Sequence, residues 1–225
     1  EVTVNLVKGG SALEGTDYAA TSTIIIPRGL REASAVLTAS PDAIDEINEE
    51  VVIDIQSVVG AEEQNASTTG QQVKVTLNDK NATPTVKLED PSLLAINESA
   101  PNESATLSAT LSGLSSRIVT VTLGRAGDAK DEVDYRLPAT IEIPAMTLSA
   151  TTTLSALGDL IDELDREQVI VEISAVTHAD ELGAQQKMVD ILDDEPTPTV
   201  ALSVSSNSIP ESIASSSVTT TVTAT

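Results

Sequence analysis

Apolar and polar residues alternate along most of this chain with a period of two. Val2, Val4 and Leu6 open the series. Ile24 with Ile26, then Ala33, Ala35 and Leu37, then Val51, Ile53 and Ile55, then Val73, Val75 and Leu77 continue it. A period of two sends every second side chain to the same face, as in a half-buried β-strand. Turn formers separate the runs: Lys8 to Gly15 holds adjacent glycines, and Pro27 with Gly29 follows Ile26. The pattern predicts an acidic loop from Pro41 to Glu50 and a polar loop from Gly60 to Gly70. Further strands are predicted at Val86–Leu88, at Leu107, Ala109 and Leu111, at Val119, Val121 and Leu123, and at Ile141 and Ile143. The acid-rich stretch from Asp159 to Glu167 is short for a helix and reads as another loop. The expectation is an all-β chain.

The pattern also repeats. Val119, Val121 and Leu123 lie 117 positions after Val2, Val4 and Leu6, and Asp134-Tyr135 lies 117 after Asp17-Tyr18. Asp159, Asp162, Glu163 and Glu167 stand 117 beyond Asp42, Asp45, Glu46 and Glu50. L-N-D-K-N-A-T-P-T-V, from Leu77 to Val86, returns as I-L-D-D-E-P-T-P-T-V from Ile191 to Val200, now 114 positions on. Self-similarity at this spacing, with many short strands, predicts tandem antiparallel sandwiches. Residues 1–82 form a module lacking its opening strands, and 83–196 form a complete module. Residues 197–225 form the opening strands of a third, or donor strands. The chain reads most simply as a window on a longer array. The alternative is that one molecule's tail completes the first module of the next by strand addition.

Composition narrows the function. The formal net charge of -23 argues against nucleic acid and anionic membrane surfaces as partners. The absence of cysteine removes disulfide and thiolate chemistry, and no stretch is long enough to insert in a membrane. G-x-S-x-G, P-loop and His/Cys metal spacings are missing, so an enzyme is not expected. His178 is the one histidine and reads as a loop-surface residue rather than a base. Asp45 and Glu46 offer a glycosidase-like acid pair, but aromatic residues make up only 1% of the chain, too few for sugar platforms. Tyr18 and Tyr135 occupy the same place in the repeat and read as core plugs. The sequons at Asn65, Asn81, Asn97 and Asn102 read as chance occurrences in a chain rich in Asn and Ser. The acids serve either as a solvated rim or as ligands for divalent cations, and their recurrence in register favours cations. Asp128, Asp131 and Asp134 lack the spacing and turn glycine of an EF-hand.

G-T-D-Y from Gly15 to Tyr18, an acidic loop of the form D-x-x-D-E, and a strand ending in D-D-E before P-T-V occur in that order. Together they resemble the Calx-beta family. That module builds the regulatory domains of sodium–calcium exchangers and is tandemly repeated in very large bacterial surface proteins. The resemblance covers nearly the whole chain. It implies tandem immunoglobulin-like antiparallel β-sandwiches of seven strands, with Ca2+ held in loops at one end, beside the next module. It assigns Glu98, Asp134, Asp159, Glu163, Asp193 and Asp194 as ligands in the second module. In the first module it assigns Asp17, Asp42, Glu46, Glu49 and Asp79, and in the tail Glu211, which matches Glu98. Lys80 and Asn81 stand where Asp194 and Glu195 stand one repeat later, so fewer ions are expected in the first module. Arg166 is aligned with Glu49, which removes one ligand from the second.

The expected function is that of a calcium-binding structural module in an extracellular stalk, filament or adhesin, on a bacterial cell surface. Its partners are neighbouring repeats of the same protein, head-to-tail, together with a cell-surface ligand. The alternatives are a calcium-sensing regulatory module or a carbohydrate-binding domain.

Overall fold

The computed structural model describes residues 1–64, 71–98, 103–211 and 217–224, and every regular element among them is a β-strand. Among these residues no helix is long and apolar enough to cross a membrane. Asn65, Asn102 and the second half of the Gly60–Gly70 loop lie outside the described residues. The first seven strands are β1 (Val2–Gly10), β2 (Tyr18–Ala20), β3 (Thr23–Ile26), β4 (Leu37–Ala39), β5 (Ile44–Asp45), β6 (Glu49–Val59) and β7 (Val73–Leu77). Four of them make an antiparallel sheet in the order β3-β1-β6-β7, while β2 and β4 pair separately.

The next eleven are β8 (Thr85–Leu88), β9 (Ala95–Asn97), β10 (Ser104–Leu111), β11 (Leu114–Ser115), β12 (Val119–Gly127), β13 (Tyr135–Arg136), β14 (Thr140–Ile143), β15 (Ser149–Ala156), β16 (Glu167–Thr177), β17 (Asp180–Glu181) and β18 (Gln186–Leu192). All but β11 form two five-stranded sheets, β13-β15-β10-β8-β17 and β14-β12-β16-β18-β9. Alternation explains why the sheets stack. Ala105, Leu107, Ala109 and Leu111 of β10 turn inward, as do Val119, Val121 and Leu123 of β12, and all belong to one buried cluster. Tyr135 is 1% exposed inside it, and Tyr18 is equally buried in the first unit. The entering chain contributes to both sheets: β8 pairs with β10, and β9 pairs in parallel with β18. Buried Pro91 lies between β8 and β9, where a residue without an N–H suits a break in the ladder.

The repeat extends to backbone detail. β6 bulges at Gln56, opposite Asn5 and Leu6 of β1, and β16 bulges at Ser174, opposite Thr122 and Leu123 of β12. At the end of β12, Gly127 has φ 113°, and a Cβ there would meet the Gln168 carbonyl oxygen at 1.9 Å. Gly10 repeats this against Glu50. Only glycine fits both the torsion and the contact.

One predicted strand is cut short. Ala33 and Ala35 are exposed and outside any strand, and only Leu37–Ala39 pairs, with β2. In the second unit the counterpart β15 is held by β10 along Ser149–Ser155. Among the described residues no such strand lies beside β4, so residues 32–36 have the composition of a strand without its hydrogen-bonding partner.

The two units meet through β5 and β11, which pair in parallel as Leu114↔Ile44 and Ser115↔Asp45. Arg117 donates to Asp45 Oδ2 at 2.7 Å, and Ser115 Oγ donates to the same oxygen at 3.2 Å. Asp45 is 5% exposed. The last two strands, β19 (Val200–Val204) and β20 (Thr220–Ala224), form a separate exposed hairpin.

Leu107→Ala removes a fully buried side chain at the centre of the second unit. It should cost about 2–5 kcal/mol of unfolding free energy. Ile25→Ala, at an exposed position, should cost less than about 1 kcal/mol. Urea denaturation followed by far-UV circular dichroism measures both.

Candidate metal centre

In the second unit the acids come from four separate pieces of chain. Asp134 ends the turn K-D-E-V-D, and its Oδ2 accepts the Lys130 backbone N–H at 2.6 Å. That bond pins the carboxylate, leaving Oδ1 buried without a donor. Asp159 accepts the Ile161 N–H at 2.7 Å, which shapes the acidic loop around its own side chain. Glu163 donates its backbone N–H to Asp193 Oδ1 at 3.5 Å, joining that loop to the end of β18. Glu98 leaves β9 with its N–H on the Leu192 carbonyl at 3.0 Å. Gly158 sits so close that a Cβ there would lie 2.0 Å from the Glu98 carbonyl oxygen.

The result is two groups of three carboxylates, Glu98 with Asp193 and Glu195, and Asp134 with Glu163 and Glu167. Within each group the possible ligand oxygens lie within 4.8 Å of one another. Glu98 is 3% exposed. Burial, followed by repulsion from Glu163, Asp134, Asp193 and Asp159, pushes its carboxyl up to about 7. Burial also raises Glu167, reinforced by hydrogen bonding to and repulsion from Asp134. Glu163 is raised by burial and then by Asp134 and Asp159, with Lys130 opposing. Glu195 is raised by burial and then by Asp194 and Asp193, and its Oε2 is buried without a donor.

In the first unit Asp17, Asp42, Glu46, Glu49 and Asp79 all line one cleft of about 350 Å³. Asp17, Glu46 and Glu49 bring their oxygens within 4.8 Å of one another. Asp17 is held as Asp134 is, by the Leu13 N–H at 2.5 Å. Burial raises Glu46 and Glu49, and Asp42 and Asp17 respectively are the next causes. Asp79 goes the other way. Burial acts to raise it, but the N–H groups of Asn81, Glu46 and Lys80, together with Arg117 of the second unit, outweigh that and lower it. Lys80 and Asn81 also line the cleft. Asn81 Nδ2 donates to Asp42 Oδ1 at 3.1 Å and to the Ile44 carbonyl at 2.6 Å.

Three sequence expectations change. β6 pairs Glu49 with Leu77, and β16 pairs Glu167 with Ile191. Glu167 is therefore the counterpart of Glu49, and no ligand is lost to Arg166, which pairs instead with Asp190. The acidic loop is one residue longer in the second unit, and an alignment without that insertion misplaces the strand that follows it, β16. Asp194 is exposed while its neighbour Glu195 turns into the cluster. Glu211 is exposed and joins no acidic group among the described residues. His178 is exposed at φ 63°, with Nδ1 2.9 Å from the Ile118 carbonyl.

These donors are all oxygen, and two buried carboxylate oxygens lack any partner. That set fits a hard divalent cation such as Ca2+, which takes about six to eight oxygens. Glu98 and Asp193 would hold one ion, with Glu195. Asp134, Glu163 and Glu167 would hold another.

Without a cation, Glu98 binds a proton more tightly folded than unfolded between the ordinary 4.5 and about 7. Stability therefore falls as pH rises through that window. In chelator the melting temperature should drop from about pH 4.5 to about pH 7, and Glu98→Gln should flatten the drop. A cation should oppose it, since binding displaces the proton. Gly158→Ala should lower both the melting temperature and cation affinity by forcing the loop off Glu98.

No model of a protein family matches the chain, and no curated protein matches it. Among solved structures it is similar to CBD12 from CALX1.2, at 14% identity over 77% of this chain and 69% of that one, with a TM-score of 0.31. It is also similar to the calcium binding domain CBD12 of CALX1.1, at 17% identity over 78% of this chain and 68% of that one, with a TM-score of 0.31. Both likenesses are distant, and the candidate centre stands on its own geometry.

Proposed function

We propose that this chain is a calcium-binding pair of β-sandwich modules from a head-to-tail structural array, an extracellular stalk, filament or adhesin, in which Ca2+ stiffens the joints. The observation that carries the proposal is Glu98. It is a buried carboxyl surrounded by Glu163, Asp134, Asp193 and Asp159. Two like charges about 4 Å apart cost roughly 1 kcal/mol even in water and more when buried. A cation turns that repulsion into attraction, so the loops become rigid when the ion enters. The first cleft lies beside the joint, because Arg117 acts on Asp79 while it holds Asp45. Ions there bear on the contact between units. In calcium-rich surroundings weak sites stay filled, and saturation at 100 times Kd adds about 2.7 kcal/mol per site.

The same placement of Arg117 favours a second reading, a calcium sensor, since a cation arriving in the first cleft competes with Arg117 for Asp79. Affinity separates the two. Isothermal titration in a calcium-depleted buffer should show occupancy near millimolar calcium for the stalk. Sub-micromolar binding with a large change in scattering profile marks the sensor.

Calcium should raise the melting temperature, and chelator should reverse the rise. Asp134→Asn or Glu163→Gln should weaken binding to the second unit about 10-fold or more. No thermal shift up to millimolar calcium would sink the proposal.

A further inference from the structure

Beneath each D-Y turn a basic residue stands where the core pattern calls for an apolar one. Val119, Val121 and Leu123 of β12 belong to the core, and Arg125 is the next position on the same face. Its Nη1 lies 2.8 Å from Asp131 Oδ2, and its Nη2 donates to the Leu137 carbonyl. In the first unit Val2, Val4 and Leu6 of β1 lead to Lys8 in the same way. Lys8 pairs with Glu14 and donates to the Ala20 carbonyl at 2.7 Å. Lys8, Glu14 and Ala20 each lie 117 positions before Arg125, Asp131 and Leu137. The side chains of Lys8 and Arg125 are 7% and 26% exposed, so neither is a free surface charge. Both members of the pair differ between the units, yet the contact is the same. The longer acid accompanies the shorter base.

Such a pair is a poor source of stability. Arg125 Nε and Asp131 Oδ1 are buried without a hydrogen-bond partner. Charges taken out of water and left partly unsatisfied regain little of their desolvation cost, and apolar residues of similar size are often as stable or more so. A costly pair used in both units needs another reason, and its placement supplies one.

Asp131 belongs to the turn that presents Asp134. The Asp131 backbone bridges to Tyr135. Glu132 N–H donates to the Tyr135 carbonyl at 2.7 Å, and Asp134 N–H donates to the Lys130 carbonyl at 2.9 Å. These bonds make the turn a single body. Its flanks are tied to the rest of the unit: Gln168 N–H donates to Asp128 Oδ1 at 2.7 Å, and Leu157 N–H donates to the Asp134 carbonyl at 2.9 Å. Ties at two flanks define a hinge line, and a third point is needed to fix the tilt about it. Arg125 supplies that point from the core side.

We propose that Arg125, acting through Asp131, positions Asp134 Oδ1 for the cation, and that Lys8 acts through Glu14 on Asp17 in the same way. Neither basic residue touches the ion. Each sets the tilt of its turn, so that in the second unit the free oxygen of Asp134 meets those of Glu163 and Glu167. The inference rests on the calcium reading and names positioning residues of that same site.

The test is a calcium titration of the isotope-labelled 225-residue chain by nuclear magnetic resonance. The Lys130 and Ile161 amide signals report the second unit, since their N–H groups bond Asp134 and Asp159. The Leu13 and Ile44 signals report the first unit in the same sample, through Asp17 and Asp42. Arg125→Met combined with Asp131→Asn removes both charges together. It should weaken calcium binding about 10-fold or more in the second unit and leave the first unit's affinity unchanged. Its melting temperature in chelator should hold or rise. Arg125→Lys combined with Asp131→Glu installs the first unit's pair and should restore the wild-type affinity. Unchanged second-unit affinity in the charge-free variant overturns the inference. So does a fall in that variant's melting temperature in chelator, which would mark a pair that serves stability. Wild-type signals from the second unit that ignore calcium remove the calcium reading, and this inference with it, whereas a calcium-responsive wild type with an indifferent variant removes the inference alone.

Discussion

Carboxylates gathered at one end of a β-sandwich repel one another, and this fold is built to hold them together regardless. The holding is done by backbone. Lys130 N–H fixes Asp134, Ile161 N–H fixes Asp159, and Leu192 C=O fixes the strand that delivers Glu98. Each bond is modest, about 1 kcal/mol net, but together they leave the side chains no route apart. What remains is a choice between protons and cations. Glu98, Glu163, Glu167 and Glu195 are all pushed toward the protonated form, with burial as the first cause in each case. A site whose carboxyls are pushed toward the protonated form is equally ready to exchange protons for an ion.

The two units solve the same problem with different chemistry. Where the second places Glu195, the first places Asn81, whose amide donates to Asp42 rather than repelling it. Lys80 lines the same cleft, and Arg117 reaches over from the next unit to Asp45. Part of the negative charge in the first unit is thus met from within the protein and across the joint. In the second unit Lys130 acts against the repulsion at Glu163 and Glu167. The joint itself rests on a half-buried ion pair, a hydroxyl and a two-residue parallel bridge. Removing Arg117 would leave Asp45 buried and uncompensated, which costs more than the pair gains by forming.

Much of the candidate centre was legible because repetition marked it. Asp17 and Asp134, Glu46 and Glu163, and Asp79 and Asp193 recur at fixed offsets and occupy matching positions. Glu167 was misread because a single inserted residue in a loop has no hydrophobic pattern to reveal it. Only the strand pairing of Glu167 with Ile191 restores the correspondence with Glu49. Choosing Glu195 over Asp194 was equally beyond the pattern, since adjacent acids after a strand differ only in the direction the backbone aims them. No motif in the sequence singled out Arg117. Its role exists because β11 of one unit lies against β5 of the other.

The sequence by itself determined the β-class, the period and the acidic loops, because alternation and turn residues are local properties that each segment carries alone. It also carried the strand composition of residues 32–36, yet these residues form no strand. Whether a segment becomes a strand depends on a neighbour to accept its hydrogen bonds, and among the described residues β4 has none on that side. Tertiary structure alone decided which acids meet and which oxygen is left without a donor. Those outcomes depend on distances between segments far apart in the chain, and no local pattern encodes a distance.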